Sequence, residues 1–161
     1  MLPALEKPLY STSCVVFNSE SLYTVGGTDT RHKEVKIFQR LNLNEPQEWE
    51  VLPLKLPQTL CNIGLCQVEL NQLLIFGGFS SSKAGATTLV CNMLESEGGQ
   101  LILRKVGDGK AGSLQTSDIF LFNGVARVEE ESKDFYLVGK DHVHVYNEST
   151  HKFRTLRQIH S

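Results

Sequence analysis

The sequence predicts an all-β protein made of three similar units, each of four short antiparallel strands. The first observation is a strand-like segment ending on two glycines, SLYTVGG at residues 21–27, which returns 51 residues later as QLLIFGG at residues 72–78. The second is a weaker third copy, DFYLVGK at residues 134–140, in which Lys140 replaces the second glycine. The third is the lack of any sustained apolar stripe with a helical period, so we expect little helix. The copies are 51 and 62 residues apart, and a period of about 50 residues indicates a repeat architecture.

The first unit contains four candidate strands separated by polar turns. SCVVFNSE precedes SLYTVGG, and the NSE sequence at residues 18–20 supplies turn residues between them. Two more strands follow at residues 34–42 (EVKIFQRLN) and 48–54 (EWEVLPL), joined by the polar turn NEPQ. This order predicts four strands that pair with their neighbours along the chain.

The second and third units repeat this order. Each has a strand-like segment before its glycine motif, GLCQVELN in the second unit and NGVARVEE in the third. Each also has two strand candidates after the motif, at residues 87–95 and 100–106 in the second unit and at 142–147 and 152–159 in the third. The whole chain is therefore accounted for by three four-stranded units and their connections.

We expect the glycines to have a structural role. Two adjacent glycines remove two Cβ atoms where a strand leaves a crowded region, and they permit positive φ angles. The nearly continuous apolar run LLIFGGF at residues 73–79 indicates a strand that is covered on both faces. A phosphate-binding role is not expected for them. The structural glycines are Gly26, Gly27, Gly77, Gly78 and Gly139.

The glycine-ended strands resemble those of kelch repeats. The resemblance rests on VGG at residues 25–27 and FGG at residues 76–78, and on an aromatic residue in a later strand, Trp49 in the first unit and Phe153 in the third. The third unit is similar to the Tyr…Trp…Leu spacing of the family through Tyr146, Phe153 and Leu156, with Phe in place of Trp. The second unit departs from the pattern, because it has Cys91, Met93 and Ile102 where aromatic residues are expected.

Kelch repeats form the four-stranded blades of a β-propeller. The resemblance therefore implies one partial kelch β-propeller over residues 1–161, with three blades at roughly residues 11–56, 62–107 and 120–160. A generic β-sandwich is the alternative, because it also has short strands separated by turns. A sandwich, however, does not require a glycine pair that recurs at a fixed spacing.

Three blades are fewer than the four to eight of typical propellers. We therefore expect a part of a larger or assembled propeller, and three explanations stay open. The remaining blades belong to a longer polypeptide, or a second propeller half or another copy of the chain completes the ring. In the third explanation the blades form an open arc whose apolar edges are covered by partner proteins.

The composition excludes several classes of partner. The chain has 161 residues, of which 40% are hydrophobic and 21% charged, and its net charge is −2. This balance gives no electrostatic reason to expect nucleic acid or an anionic membrane as a partner. No apolar run approaches the roughly 20 residues that span a bilayer, and the first ten residues do not resemble a targeting signal. We therefore expect a cytoplasmic protein.

The four cysteines are expected to be reduced. Cys14, Cys66 and Cys91 lie in apolar strand-like runs, where a free cysteine packs as a small buried hydrophobe. Because no secretion signal is present, core thiols are favoured over disulfides for these residues and for Cys61.

No catalytic residue, cofactor or metal site is predicted. The segment VGDGKAGS at residues 106–113 fails the P-loop pattern, because Ala111 follows Lys110 where Ser or Thr is needed. His142 and His144 share one face of a predicted strand, but no third ligand follows at a suitable spacing, so we interpret them as exposed strand histidines. Galactose-oxidase-type kelch enzymes bind copper through Tyr and His, but the tyrosines of this chain lie in contexts typical of packing.

The resemblance implies a non-enzymatic protein-interaction or scaffolding module. Its contacts with other proteins are expected in the loops after the glycine motifs, TDTRHKE at residues 28–34 and SSSKAGA at residues 80–86. The connection at residues 107–118 is a further candidate. One alternative is a structural propeller fragment embedded in a large complex, and another is an enzyme whose axial site uses residues of missing blades. The candidate contact residues are Asp29, Arg31, His32, Lys33, Ser81, Ser82 and Lys83.

Overall fold

The structure is a computed structural model that describes residues 2–78, 91–97, 100–107, 124–127, 132–138, 142–150 and 152–158. Within these ranges the chain is all-β and contains no helix, and hence no helix long and apolar enough to cross a membrane. The strands of the described ranges are β1 (Leu9–Tyr10), β2 (Ser13–Phe17), β3 (Ser21–Val25), β4 (Thr28–Asp29), β5 (Ile37–Asn42), β6 (Trp49–Lys55), β7 (Gly64–Glu69), β8 (Gln72–Phe76), β9 (Cys91–Glu97), β10 (Gln100–Gly107), β11 (Gly124–Arg127), β12 (Asp134–Val138), β13 (His142–Asn147) and β14 (Lys152–Gln158).

Three antiparallel sheets of four strands each contain most of these strands. The first sheet has the order β2-β3-β5-β6, the second β7-β8-β9-β10 and the third β11-β12-β13-β14. The predicted all-β chain with antiparallel sheets is therefore confirmed. The strands β1 and β4 pair with each other in a separate two-stranded sheet, which the sequence did not predict.

The turn between β2 and β3 shows how the local sequence forms these hairpins. Asn18 and Ser19 both have positive φ, 56° and 54°, and the amide of Glu20 donates to the carbonyl of Phe17 at 3.4 Å. Two central residues with positive φ match the right-handed twist of the flanking strands. Asn tolerates this conformation better than most residues other than glycine.

The three sheets pack face to face in chain order. One hydrophobic cluster joins the first sheet, through residues such as Phe17 and Phe38, to Leu73 and Ile75 of the second. A second cluster joins Phe76 of the second sheet to residues of the third sheet, including Phe135 and Tyr146. The first strands are also neighbours, because β7 lies beside both β2 and β11. Each fully buried large apolar side chain contributes about 1.5–3 kcal/mol relative to exposure.

The glycine pairs allow close approach of the interunit linker, which we define as residues 56–63 between the first and second sheets. Gly26 and Gly27 have φ angles of 62° and 100°, and Gly77 and Gly78 have 66° and 98°. The amide of Gly27 donates to the carbonyl of Leu60 at 2.8 Å, and a Cβ on Gly26 would collide with that carbonyl oxygen. A side chain at Gly26 or Gly27 is therefore disfavoured both by φ and by the available space, and one at Gly77 or Gly78 by φ.

An N-terminal strap, residues 2–8, covers the outer strands of the first sheet on the side away from the second sheet. The amide of Lys7 donates to Oε1 of Gln39 at 2.8 Å, and Nε2 of Gln39 donates back to the carbonyl of Lys7 at 3.1 Å. The indole N–H of Trp49 donates to the carbonyl of Pro3 at 3.1 Å. Gln39 is fully buried, so these bonds satisfy an amide that water cannot reach.

Replacing Gly26 by alanine should destabilise the protein. We expect Gly26→Ala to lower the free energy of unfolding by about 1–3 kcal/mol, because alanine must adopt a left-handed backbone and displace the linker carbonyl. Chemical denaturation followed by circular dichroism measures the change. Ser19→Gly is the matched control, because Ser19 also has a positive φ but is exposed in a turn, and it should be neutral or stabilising. Equal stability of Gly26→Ala and the wild type would contradict the described linker contact.

Candidate functional site

The contact loop, residues 28–34, is built on a rigid base. It starts in β4, which pairs with β1 so that Thr28 lies opposite Tyr10, and it ends at an isolated bridge between Thr28 and Glu34. The amide of Val35 donates to the carbonyl of Gly27 at 2.9 Å, and the amide of Leu60 donates to the carbonyl of Val35 at 3.5 Å. The loop is thus fixed to both the glycine pair and the interunit linker.

The carboxylate of Asp29 organises the loop from inside. It accepts hydrogen bonds from the amides of Arg31 at 2.9 Å and Lys33 at 3.0 Å. It also accepts from the guanidinium of Arg31, whose Nη2 lies at 3.2 Å. The Asp29 side chain is only 19% exposed, whereas that of Arg31 is 78% exposed. Asp29 is therefore placed to hold the loop, and Arg31 extends into solvent.

These hydrogen bonds favour the charged form of Asp29. The pKa of the Asp29 carboxyl is lowered, with the backbone N–H of Lys33 as the main cause. The backbone N–H and the guanidinium of Arg31 lower the pKa further, while partial removal from water opposes the shift. Asp29 is therefore ionised more readily than an aspartate in water.

His32 occupies the tip of the loop and contacts Tyr10. Its φ is 60°, a left-handed conformation in which its amide donates to the carbonyl of Asp29 at 2.9 Å. Its Nδ1 lies 2.5 Å from the hydroxyl of Tyr10, and the two rings meet edge to face with centroids 5.8 Å apart. Tyr10 was missed by the sequence analysis, because nothing in the local pattern of the N-terminal segment predicts that β1 pairs with β4.

The exposed surface of the loop is basic and aromatic. Arg31, His32 and Lys33 are exposed, and Tyr10 adds an aromatic ring that is 44% exposed. Arginine and tyrosine are enriched among the residues that dominate binding energy at protein interfaces. The surface can donate hydrogen bonds to acceptor groups of a partner and can pack an aromatic ring against it.

The other predicted contact residues lie outside the described residues. This applies to Ser81, Ser82 and Lys83, to the connection from residue 108 to residue 118, and to the structural glycine Gly139. Of the connection, only Gly107 is described, as the last residue of β10.

Two expectations about single residues are wrong. His144 was expected to be exposed but is fully buried, because it lies opposite the core residue Leu137 and shares with Tyr146 the face of the third sheet that packs on the second. Cys14 was expected to be buried but is exposed. Cys61, in contrast, is buried, and its burial raises the pKa of its thiol.

The part of the chain that the structure describes contains no group of three or more His, Cys, Asp or Glu side chains that could hold a metal ion. In comparisons with known proteins, no family model matches the chain and no curated protein matches it.

The stabilising effect of Asp29 should depend on pH. The folded-state pKa of Asp29 lies below its unfolded value, so its contribution is complete above the unfolded pKa of about 3.9 and is lost as the pH falls through the folded pKa. We expect Asp29→Asn to lower the denaturation midpoint at pH 7 and to differ less from the wild type at pH values below about 3. Urea denaturation at both pH values measures this difference.

Thr30→Asn is the control, because it changes an exposed residue of the same loop and removes no carboxylate. The control should leave the midpoint unchanged at both pH values. A difference between Asp29→Asn and the wild type that is constant with pH would contradict the assigned role of the carboxylate.

Proposed function

We propose that this protein is a non-enzymatic protein-interaction module of the kelch type, with three blades of a β-propeller. The observation that carries the proposal is a rigid loop whose inner carboxylate is used by the loop itself and whose basic and aromatic side chains face outward. Such a loop on a stacked β scaffold suits recognition of another protein, because little conformational entropy is lost on binding.

The propeller part of the proposal is supported by repeated backbone geometry. The glycine pairs that end β3 and β8 stand 51 residues apart and have nearly equal φ angles. Ser11 and Asn62, also 51 residues apart, both have a φ of 52° just before the first strand of a sheet. The neighbouring first strands β2, β7 and β11 agree with blades arranged around an axis.

The binding part of the proposal is supported by the chemistry of the loop. Arg31 keeps a planar guanidinium exposed while Asp29 limits its motion through the ion pair at 3.2 Å. Tyr10 and His32 hold each other in place. A partner segment that carries carboxylates or backbone carbonyls next to an apolar side chain fits these donors and this ring.

Removing the exposed cations of the loop should weaken partner binding. We expect Arg31→Ala/Lys33→Ala to reduce the amount of partner captured from an extract of the source cells by about tenfold or more, which equals about 1.4 kcal/mol. Quantitative mass spectrometry of the captured proteins measures the change. Lys55→Ala/Lys152→Ala is the matched control, because both lysines are exposed and lie outside the loop.

The proposal fails if the loop variant and the control capture the same proteins in equal amounts. Metal analysis of the purified protein tests the enzyme alternative separately. Stoichiometric copper or iron in the wild type would favour an axial active site over an interaction module.

A further inference from the structure

The first sheet exposes a face that is packed in the second sheet. We call the side of each sheet that points along the stack its forward face and the opposite side its backward face. On the backward face of the first sheet, Val16 is 47% exposed, Cys14 is exposed and Leu22 is half-buried. On the backward face of the second sheet, Leu73 and Ile75 are fully buried against the first sheet.

The segments that precede the first and second sheets also differ in burial. Leu56 and Leu60 of the interunit linker are fully buried between the first and second sheets. Leu5 and Leu9, 51 residues earlier, lie in the corresponding N-terminal segment and are only half-buried. The strap therefore covers the backward face of the first sheet less completely than a packed sheet would. Apolar side chains of the N-terminal segment itself stay partly exposed.

The backward face also holds an unsatisfied polar group. Thr24 lies on this face because Val25, the next residue, belongs to the cluster between the first and second sheets. Its side chain is buried, and its hydroxyl has no hydrogen-bond partner among the described residues. A buried hydroxyl without a partner costs about 1–3 kcal/mol.

The forward face of the third sheet is the complementary surface. Leu74 and Phe76 are fully buried on the forward face of the second sheet, against the third sheet. The corresponding residues 62 positions later are Tyr136, which is half-buried, and Val138, which is 37% exposed. Val145, opposite Tyr136 on the same face, is fully buried, so the exposed apolar part of this face lies on β12. Among the described residues, neither this face nor the backward face of the first sheet is packed against another sheet.

The charges at the third sheet do not oppose an apolar contact. Asp134 and Arg154 form an ion pair at 3.0 Å, and Nδ2 of Asn147 donates to Asp134 at 2.7 Å. The pKa of the Asp134 carboxyl is lowered, first by the hydrogen bond from Asn147 and then by that from Arg154. The negative charge of Asp134 on this face is therefore already compensated by Arg154 of the same chain.

We propose that two copies of this chain associate head to tail, with the forward face of the third sheet of each copy packed on the backward face of the first sheet of the other. The stack already contains two contacts of this kind, between the first and second sheets and between the second and third. A head-to-tail contact gives a closed ring when the rotations between successive subunits add up to a full turn. In a closed ring of two copies, both apolar end faces of each copy are covered. The inference rests on the stacking of the proposed blades and not on the contact loop.

Light scattering tests the mass of the assembly. We expect the wild type to have twice the 18.0 kDa of the single chain, and we expect Val16→Asp and Val138→Asp each to be monomeric. Leu70→Asp is the matched control, because Leu70 is 73% exposed and lies in the turn between β7 and β8, away from both faces. The control should keep the doubled mass, and so should the loop variant Arg31→Ala/Lys33→Ala.

A mixture of the two face variants tests the head-to-tail arrangement. Val16→Asp mixed with Val138→Asp can form one intact contact, so the mixture should contain a paired species that neither variant forms alone. A contact between two identical faces predicts instead that only one of the variants is monomeric. The proposal is overturned if only one of the two variants is monomeric. It is also overturned if the wild type is monomeric at hundred-micromolar concentration, or if its mass keeps growing with concentration.

Alkylation of Cys14 tests the same contact in the wild type, without any substitution. Peptide-resolved labelling should show that Cys14 is alkylated at least about tenfold more slowly at hundred-micromolar than at submicromolar protein, because association covers it. Cys61 is buried in either state and should show no such dependence. An alkylation rate of Cys14 that does not vary with protein concentration would reject the proposed face, even if the aspartate variants fail to fold.

Discussion

Three backbone hydrogen bonds connect the strand end, the contact loop and the linker, and the rest of the structure depends on them. Gly27 donates to Leu60, Leu60 donates to Val35, and Val35 donates back to Gly27. Such a closed set requires three segments of main chain to meet where side chains normally keep them apart. Two glycines with positive φ make this approach possible. The linker then seals the space between the first and second sheets, where Leu56 and Leu60 are buried. The same three hydrogen bonds therefore hold both the packing of the first two sheets and the base of the contact loop.

The contact loop gains its order from this meeting point and from Asp29. Main-chain bonds fix both ends of the loop, and the carboxylate of Asp29 fixes its middle through the amides of Arg31 and Lys33. A loop that is organised by its own acid presents its cations in defined positions. The sheets, in contrast, present apolar side chains at both ends of the stack, such as Val16 and Val138. The molecule thus offers two kinds of surface, a polar and aromatic one at the loop and apolar ones at the end faces.

The sequence predicted the strands well because their signals are local. Alternation, glycine pairs and turn residues lie within a few positions of one another, and most predicted strands agree with the structure to within a few residues. The pairing of β1 with β4 was missed because it joins segments about 20 residues apart and has no pattern of its own. His144 was misjudged because the sequence pattern does not show that its face of β13, which it shares with Tyr146, packs on the second sheet. Cys14 was misjudged because an apolar strand indicates that a face suits burial and does not indicate what covers it.

The same limit applies to the site. The position and residue types of the loop at 28–34 made it a candidate contact segment. The different roles of Asp29, which holds the loop, and Arg31, which is exposed, appear only in the folded geometry. The contact between the strap and the first sheet is likewise visible only in the folded structure. The side-chain amide of Gln39 hydrogen-bonds two main-chain groups of Lys7, one donor and one acceptor. Recognition of this kind does not depend on which side chain stands at position 7, as long as the residue has an N–H group, which excludes proline. A substitution of Lys7 by any residue other than proline therefore keeps both hydrogen bonds to the buried amide at position 39.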